Sequence, residues 1–432
     1  MHLAERGYFL IALTGLLAII GIWSDDASLQ WSWCWPALLL CLGLALEAWL
    51  APRIGLHAEL AFEQRLLLGR STSAVFRLRN DYVRAVTIQY ARVLPAAMVG
   101  DQTVVKIRVP AGAVVSQRWL VRPARLGPGT FSPLPARLLG RLGFAWWSDR
   151  VALQTPFSVA PDALSGSRER LRGDARGEAA LAAPGHGSEL FQLRAYRPGD
   201  PFARIDWKAS ARARELISRE MSADRNLAIV LVIDAGRMSR MAAGQLDRLG
   251  LAANIAARFA EQAVRIDDRV GLIAYSDRVL ARCAPDRGRL AVRRIRDALE
   301  RLVTDGAESQ PTVAAQALAQ TLRSRSLIVW LADFDDPANT AALHAAVAPL
   351  LRRHVVICAA VDSESMQALV TRPARNWRDP YIALAAGAEL ERIGRQAAAL
   401  RGAGALVVRA SEQDLESAVL RAYRERRRLR QI

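Results

Sequence analysis

Hard oxygen donors stand at the ends of apolar runs in the second half of this chain. Asp234 closes LAIVLVID, Ser276 follows VGLIAY, Asp333 sits in SLIVWLADF and Asp362 closes HVVICAAVD. If these runs are parallel strands, their carboxyl ends gather at one edge, where open α/β sheets bind ligands. Carboxylate and hydroxyl oxygens there suit a hard cation such as Mg²⁺. They equally suit a hydrogen-bonded loop network. No GxGxxG, GxxxxGK[ST] or GxSxG stands at these ends, which argues against dinucleotide, nucleotide and serine-hydrolase sites. The histidines are His2, His57, His186, His344 and His354, and none pairs at HExxH spacing. Cys34, Cys41, Cys283 and Cys358 lack CxxC or metal-ligand spacing and read as free thiols of a reducing compartment. The expectation is therefore a binding protein and not an enzyme.

The elements that must position these residues follow from periodicity. Over residues 225–432, strand-length apolar runs alternate with amphipathic helical segments. That pattern predicts an α/β doubly wound domain with a mostly parallel sheet, and an edge strand at residues 278–284. Residues 54–161 read differently. Short runs such as STSAVFRLRN and QTVVKIRVP, punctuated by Gly and Pro, predict an antiparallel β-sandwich that lacks a disulfide. Residues 162–188 are rich in Gly, Ala, Ser and charge and read as a linker, with His186 a solvated loop residue.

Residues 1–53 hold two apolar runs, 8–23 and 33–50, near the length of membrane-spanning helices and edged by Tyr8, Trp23, Trp31, Trp33, Trp35 and Trp49. The short loop between them carries Asp25 and Asp26 and no cation, whereas Arg6, Arg53, Arg65 and Arg70 flank the other ends. The bias predicts a bacterial inner-membrane protein with both termini and the large domains cytoplasmic. Glu47, near the cytoplasmic end of the second span, is expected to snorkel to the interface. The net charge of +17 is almost all arginine, Lys appearing only at Lys106 and Lys208. Such a balance favours acidic surfaces, membrane lipids among them, or reflects arginine used wherever a solvated cation serves. No nucleic-acid partner is expected, since no motif accompanies the charge. The closing RAYRERRRLR suits either a helix C-terminus or an anionic lipid surface.

The segment 189–224 carries a long motif: Glu189, Leu193, Arg194, Tyr196, Pro198, Gly199, Asp200, Arg204, Ile205, Asp206, Trp207, Ser210, Ala211 and Arg212. Read physically, Tyr196 to Asp200 is a turn. Arg194, Arg204 and Arg212 can pair with Glu189, Asp200 or Asp206, and Trp207 can anchor the segment. The spacing resembles the signature of the domain-of-unknown-function 58 family, and the spans, β domain and α/β half fit that family's architecture. The resemblance implies a von Willebrand factor A-like domain and a MoxR-type AAA+ ATPase partner. It thereby implies a scaffold or adaptor that helps assemble or activate client proteins.

Metal-binding A-domains carry D-x-S-x-S after the first strand, a Thr on a second loop and an Asp on a third. Here Asp234 survives, but Gly236 and Met238 replace the serines, while Thr312 and Asp333 stand where the other loops contribute. Glycine offers no side-chain oxygen, and a thioether is a poor ligand for a hard cation. The site reads as degenerate and no cofactor is expected. Arg237 is expected to pair with Asp234 and Asp333 in the cation's place. A metal-dependent ligand-binding domain is the alternative.

Overall fold

A computed structural model describes residues 2–50, 55–163, 184–222, 227–304, 306–334, 336–362 and 364–428. The chain divides into two units, Met1–Val159 and Ala160–Ile432.

The first unit begins with two helices, Glu5–Ile22 and Cys34–Trp49. Both belong to stretches long and apolar enough to cross a membrane. Tyr8, Phe9, Leu16, Ile19, Leu38, Leu39 and Leu42 are exposed on them, as a surface meant for lipid would be. The protein is accordingly membrane-associated. The cation Arg53 lies outside the described residues.

A β-sandwich follows. One sheet runs His2–Leu3, Ala145–Val151, Leu134–Leu139, Val86–Ala91, Val104–Val109. A second runs Leu56–Phe62, Thr72–Asn80, Val114–Pro123, Met98–Gly100, and both are antiparallel. Alternate residues of Thr72–Asn80 and Val86–Ala91 turn inward. Phe76 and Trp119 from one sheet stack at 4.6 Å between ring centres, with Tyr90 from the other at 5.2 Å from Phe76. These rings bury the largest apolar areas of the sandwich.

Glu47 departs from expectation. It is buried, not snorkelling, and its carboxylate accepts the backbone N–H groups of Leu142 at 2.8 Å, Phe144 at 3.1 Å and Ala145 at 3.1 Å. The second span is thereby tied to the loop between Leu134–Leu139 and Ala145–Val151. Arg6 donates from Nη1 to the Leu142 carbonyl at 3.0 Å, and Ala4 N–H to the Phe144 carbonyl at 2.8 Å, so the first span joins the same knot. The fit leaves no room for larger residues at two glycines: a Cβ on Gly43 would lie 2.2 Å from the Phe144 ring, and one on Gly140 would lie 2.2 Å from the Glu47 carboxylate. A three-donor cradle of this kind stabilises a buried carboxylate that makes no ion pair among the described residues.

The second unit is three-layered. Its sheet runs Val279–Asp286, Arg269–Tyr275, Ala228–Asp234, Leu327–Leu331, Val355–Val361, Leu406–Ala410. All pairings are parallel except that of Val279–Asp286, the antiparallel edge. Every residue of Ala228–Asp234 is buried, which explains an apolar run with no alternation. Helices Pro311–Thr321, Pro337–Leu351 and Asp379–Gly402 cover one face, where Val230, Tyr275, Trp330 and Cys358 form the core. Helices Arg248–Arg265 and Leu415–Arg428 pack together through Phe259 and Tyr423, with ring centres 4.9 Å apart. Leu251 and Ile255 meet Leu331 and Ala359 on the sheet's other face.

Two sequence readings change. Asp162, assigned to the linker, is buried against Arg248–Arg265: its N–H donates to Asn254 Oδ1 at 2.7 Å and its carbonyl accepts from Arg258 Nε at 2.8 Å. Of the remaining linker residues, 164–183 lie outside the described residues, and His186 is described only as backbone. The basic end of the chain is partly internal, because Arg427 Nε lies 3.2 Å from the buried Asp268 carboxylate.

The Glu47 cradle yields a prediction. Glu47→Leu should lower unfolding stability in detergent by about 3 kcal/mol, since it strands three amide donors, that of Ala145 buried and those of Leu142 and Phe144 partly buried. Glu47→Gln, which keeps one acceptor oxygen, should cost less. Equal melting of wild type and Glu47→Leu would show that the cradle contributes nothing.

Candidate functional site

The central strand Ala228–Asp234 lies between Arg269–Tyr275 and Leu327–Leu331. The chain leaves it first to one side and returns to the other, so the sheet's switch point lies at the carboxyl ends of Ala228–Asp234 and Leu327–Leu331. Crevices of this kind hold ligands in open α/β sheets. Asp234 ends one strand, and Asp333 follows the other by two residues.

Asp234 is buried, and both carboxylate oxygens are engaged. Oδ1 accepts the Gly236 N–H at 2.9 Å and the Ser309 hydroxyl in a short hydrogen bond. Oδ2 accepts Asn339 Nδ2 at 3.1 Å and the Tyr275 hydroxyl at 3.4 Å. Tyr275 in turn accepts from Trp330 Nε1 at 3.0 Å. Burial, followed by the Asp234 charge, holds the Tyr275 phenol well above its ordinary value, so it stays a donor. One carboxylate thus gathers the loop after its own strand, the loop before Pro311–Thr321, the start of Pro337–Leu351 and the neighbouring strand.

Asp333 pairs with Arg248 in a short contact, and both are largely buried. Ser239, also buried, donates to the Gly236 carbonyl at 2.7 Å. Asp234, Ser239, Arg248 and Asp333 form the polar rim of a small cleft of about 40 Å³, walled by Leu251, Leu331 and Leu415 among others. A second hollow of about 100 Å³ lies between Arg237, Met238, Glu308, Ser309, Asp336 and Asn339.

The expected pairing of Arg237 is overturned. Its guanidinium lies at the surface and donates to Glu308 at 2.8 Å, with neither side chain buried. The loop turns Arg237 outward because the Arg237 N–H is fixed to the Ala307 carbonyl at 2.8 Å while Ser239 closes a turn onto Gly236. The cation that does meet Asp333 is Arg248, the first residue of its helix. Thr312 is exposed on the first turn of Pro311–Thr321 and makes no contact with Asp234. Ser309 fills that role three residues earlier. Gly236 and Met238 bring no side-chain oxygen. With Asp234 saturated by donors, Asp333 on Arg248 and Thr312 outside, the described residues do not fit a Mg²⁺ shell.

The signature segment folds on itself. Pro184–Ala195 pairs antiparallel with Ile217–Ser222. Arg194 forms a two-pronged pair with Asp200, 2.8 Å at each prong, and approaches Glu220 at 3.5 Å. Hydrogen bonding from Arg194 and from the Arg197 N–H holds the Asp200 carboxyl below its ordinary value. Pro198 and Gly199 make the turn between, with Gly199 at φ +105° where a side chain would be strained. Tyr196 stacks on Phe202 at 6.2 Å. Asp206 has a different role from the ion pair expected of it. It caps the helix Trp207–Ala213, accepting the Ala209 N–H at 3.0 Å. Ser210 links that helix to the returning strand, its hydroxyl accepting the Ile217 N–H at 2.8 Å. Arg204 lies just ahead of the cap, and Arg212 is exposed. Trp207 does not anchor the segment; it is 67% exposed, and Phe202 is 75% exposed. The Glu189 side chain lies outside the described residues.

These residues fall where a known family is recognised. Residues 192–380 match DUF58, a protein family of unknown function. The DUF58 match takes in the hairpin from Gln192 onward, Asp234, Ser309 and Asp333. Curated relatives share parts of it. An uncharacterized protein of Mycobacterium tuberculosis, Rv1480, is 28% identical over 174 residues, which is 40% of this chain and 55% of the relative. Uncharacterized protein YeaD of Bacillus subtilis is 41% identical over 49 residues, 11% of this chain and 12% of its own. The chain spans about half the length of the first of these relatives. Among solved structures, BatB from Bacteroides thetaiotaomicron is 11% identical, covering 46% of this chain and all of its own at a TM-score of 0.30. An aerotolerance-related membrane protein from Bacteroides fragilis is 10% identical, covering 45% and 100%, at 0.29.

Ser309, Asn339, Tyr275 and Arg248 were missed by sequence reasoning. Only Tyr275 carried a signal, as the last residue of a predicted strand. The expected effect of Asp234→Ala is a loss of at least about 2–3 kcal/mol, because it removes the acceptor for four donors. Arg237→Ala should change stability by no more than about 0.5 kcal/mol. Urea unfolding followed by tryptophan fluorescence measures both, and a reversed order would refute the assignment of Asp234 as the organising group.

Proposed function

We propose that this protein is a membrane-anchored adaptor. Its α/β unit is of the von Willebrand A-like kind, and its loop face docks a MoxR-type AAA+ ATPase to help assemble or activate client proteins. In this reading the two spans lie in a bacterial inner membrane with both termini and the large units cytoplasmic. The protein is not an enzyme and has no resident metal.

The observation that carries the reading is the saturation of Asp234. The strand-end carboxylate that would otherwise ligate or catalyse is used to hold four segments of the face together. What the face offers outward is an exposed charged pair, Arg237 and Glu308, and the DUF58 hairpin offers exposed Phe202 and Trp207. Rigid loops presenting arginine and aromatic side chains are the material of protein-recognition hot spots. The Asp25 and Asp26 loop and the flanking arginines support the orientation.

The test is ATPase capture by membrane vesicles. Inside-out vesicles should capture the added ATPase, and right-side-out vesicles should not. Arg237→Glu should weaken capture by about tenfold, the loss of one good charged contact. Arg289→Glu, on an exposed helix, should leave it unchanged. Equal capture by the two variants moves the interface elsewhere. Titration with millimolar Mg²⁺ discriminates the alternative: no binding heat is expected, and a heat that vanishes in Asp234→Ala would establish a metal-dependent ligand-binding domain instead.

A further inference from the structure

At the foot of the first span the first unit holds an open cavity of about 420 Å³, within the size range of small-ligand sites. Five cations line it: Arg6, Arg84, Lys106, Arg108 and Arg141. The one acid on its wall is Glu5, at the first turn of the helix Glu5–Ile22. Among the described residues, no carboxylate makes an ion pair with any of the five. This is unusual in a chain whose arginines elsewhere pair readily, as Arg194, Arg248 and Arg258 do.

Two of the cations are held by contacts of their own. Arg6 is fixed to the Leu142 carbonyl, and Lys106 Nζ sits 5.5 Å over the centre of the Trp146 ring. Arg141 belongs to the loop that Glu47 ties down through the Leu142 and Phe144 amides. Arg84 and Arg141 line the same cavity, and burial, followed by the Arg141 charge, depresses the Arg84 guanidinium from its ordinary value. Five cations gathered around a single carboxylate repel one another, and a bound anion relieves that repulsion. The positive end of the first helix points to the same place.

We propose that this cavity binds the phosphate headgroup of an anionic phospholipid. Its position decides the source of the phosphate. Arg6 belongs to the first turn of the spanning helix, Tyr8 follows two residues on with 60% of its surface exposed, and Trp146 lines the wall. Aromatic and basic side chains at that level mark the headgroup layer, where basic pockets beside spanning helices take acidic lipids.

The full-length protein, purified in detergent, is to be examined by native mass spectrometry after mixing with phosphatidylglycerol or phosphatidylcholine. Wild type should retain phosphatidylglycerol in preference. The double variant Arg84→Ala/Arg141→Ala should retain it at least about tenfold less, from two cations near the lipid surface. Arg118→Ala, an exposed arginine on the other sheet, should behave as wild type, and melting curves confirm that all three fold. Equal retention by the double variant overturns the site. Retention of phosphatidylglycerol no better than phosphatidylcholine, with inorganic phosphate raising the melting temperature of wild type alone, would assign the cavity to soluble phosphate and overturn the lipid.

Discussion

A carboxylate placed inside a protein must be given donors, and at Asp234 that requirement organises the whole loop face. The aspartate ends a strand buried on both sides, so water cannot solvate it. Its donors come instead from Ser309, Asn339, Tyr275 and the Gly236 amide, four groups up to 105 residues from it in sequence. Each loop at the switch point is therefore fixed relative to the central strand by the same group. An unsatisfied ion there would cost far more than any one of these bonds returns, so the loops have little freedom to part. The outward placement of Arg237 and Glu308 follows, because the backbone between Gly236 and Ser239 is fixed from within.

The same rule operates in the first unit, where backbone amides supply the donors. Glu47 meets three backbone amides, and the surrounding glycines let the chain approach closely enough to deliver them. The energetic logic is that of an anion at a nest of N–H groups. Its consequence is mechanical: the ends of both spans and the sandwich loop form one joint, in which the loop's Arg141 has a defined position. A spanning helix that ended in a flexible linker would give no such registration.

Charge in this molecule accordingly does two kinds of work. Arg194 on Asp200, Arg248 on Asp333 and Arg258 on Glu416 pin segments that are distant in sequence or sharply turned. Half-buried, two-pronged or networked pairs of this type contribute more than exposed pairs such as Arg237 with Glu308. The cations around Arg84 and Arg141 do the other kind, building a local positive field of five cations against the single carboxylate of Glu5.

The spans, the sandwich, the alternating α/β half, the antiparallel edge strand and the turn from Tyr196 to Asp200 were legible in the sequence, whereas the helix cap at Asp206 was not. They depend on local periodicity, on apolar run length and on residues with special backbone preferences, all of which are written within a few positions of where they act. Asp234 and Asp333 were legible as strand-end carboxylates for the same reason. Their partners were not. Ser309, Asn339 and Arg248 are unremarkable in their own segments, and only the crossing of the chain at the switch point brings them to those carboxylates. Arg237 illustrates the limit. Its proximity in sequence suggested a pair with Asp234, yet a turn of three residues sends it to solvent. Glu47 looked like an interfacial side chain because nothing near it in sequence could donate to it, and its three donors lie 95 to 98 residues away. Sequence specifies which groups must be satisfied; the tertiary structure alone decides by whom, since a hydrogen bond depends on distance in space and carries no signature along the chain.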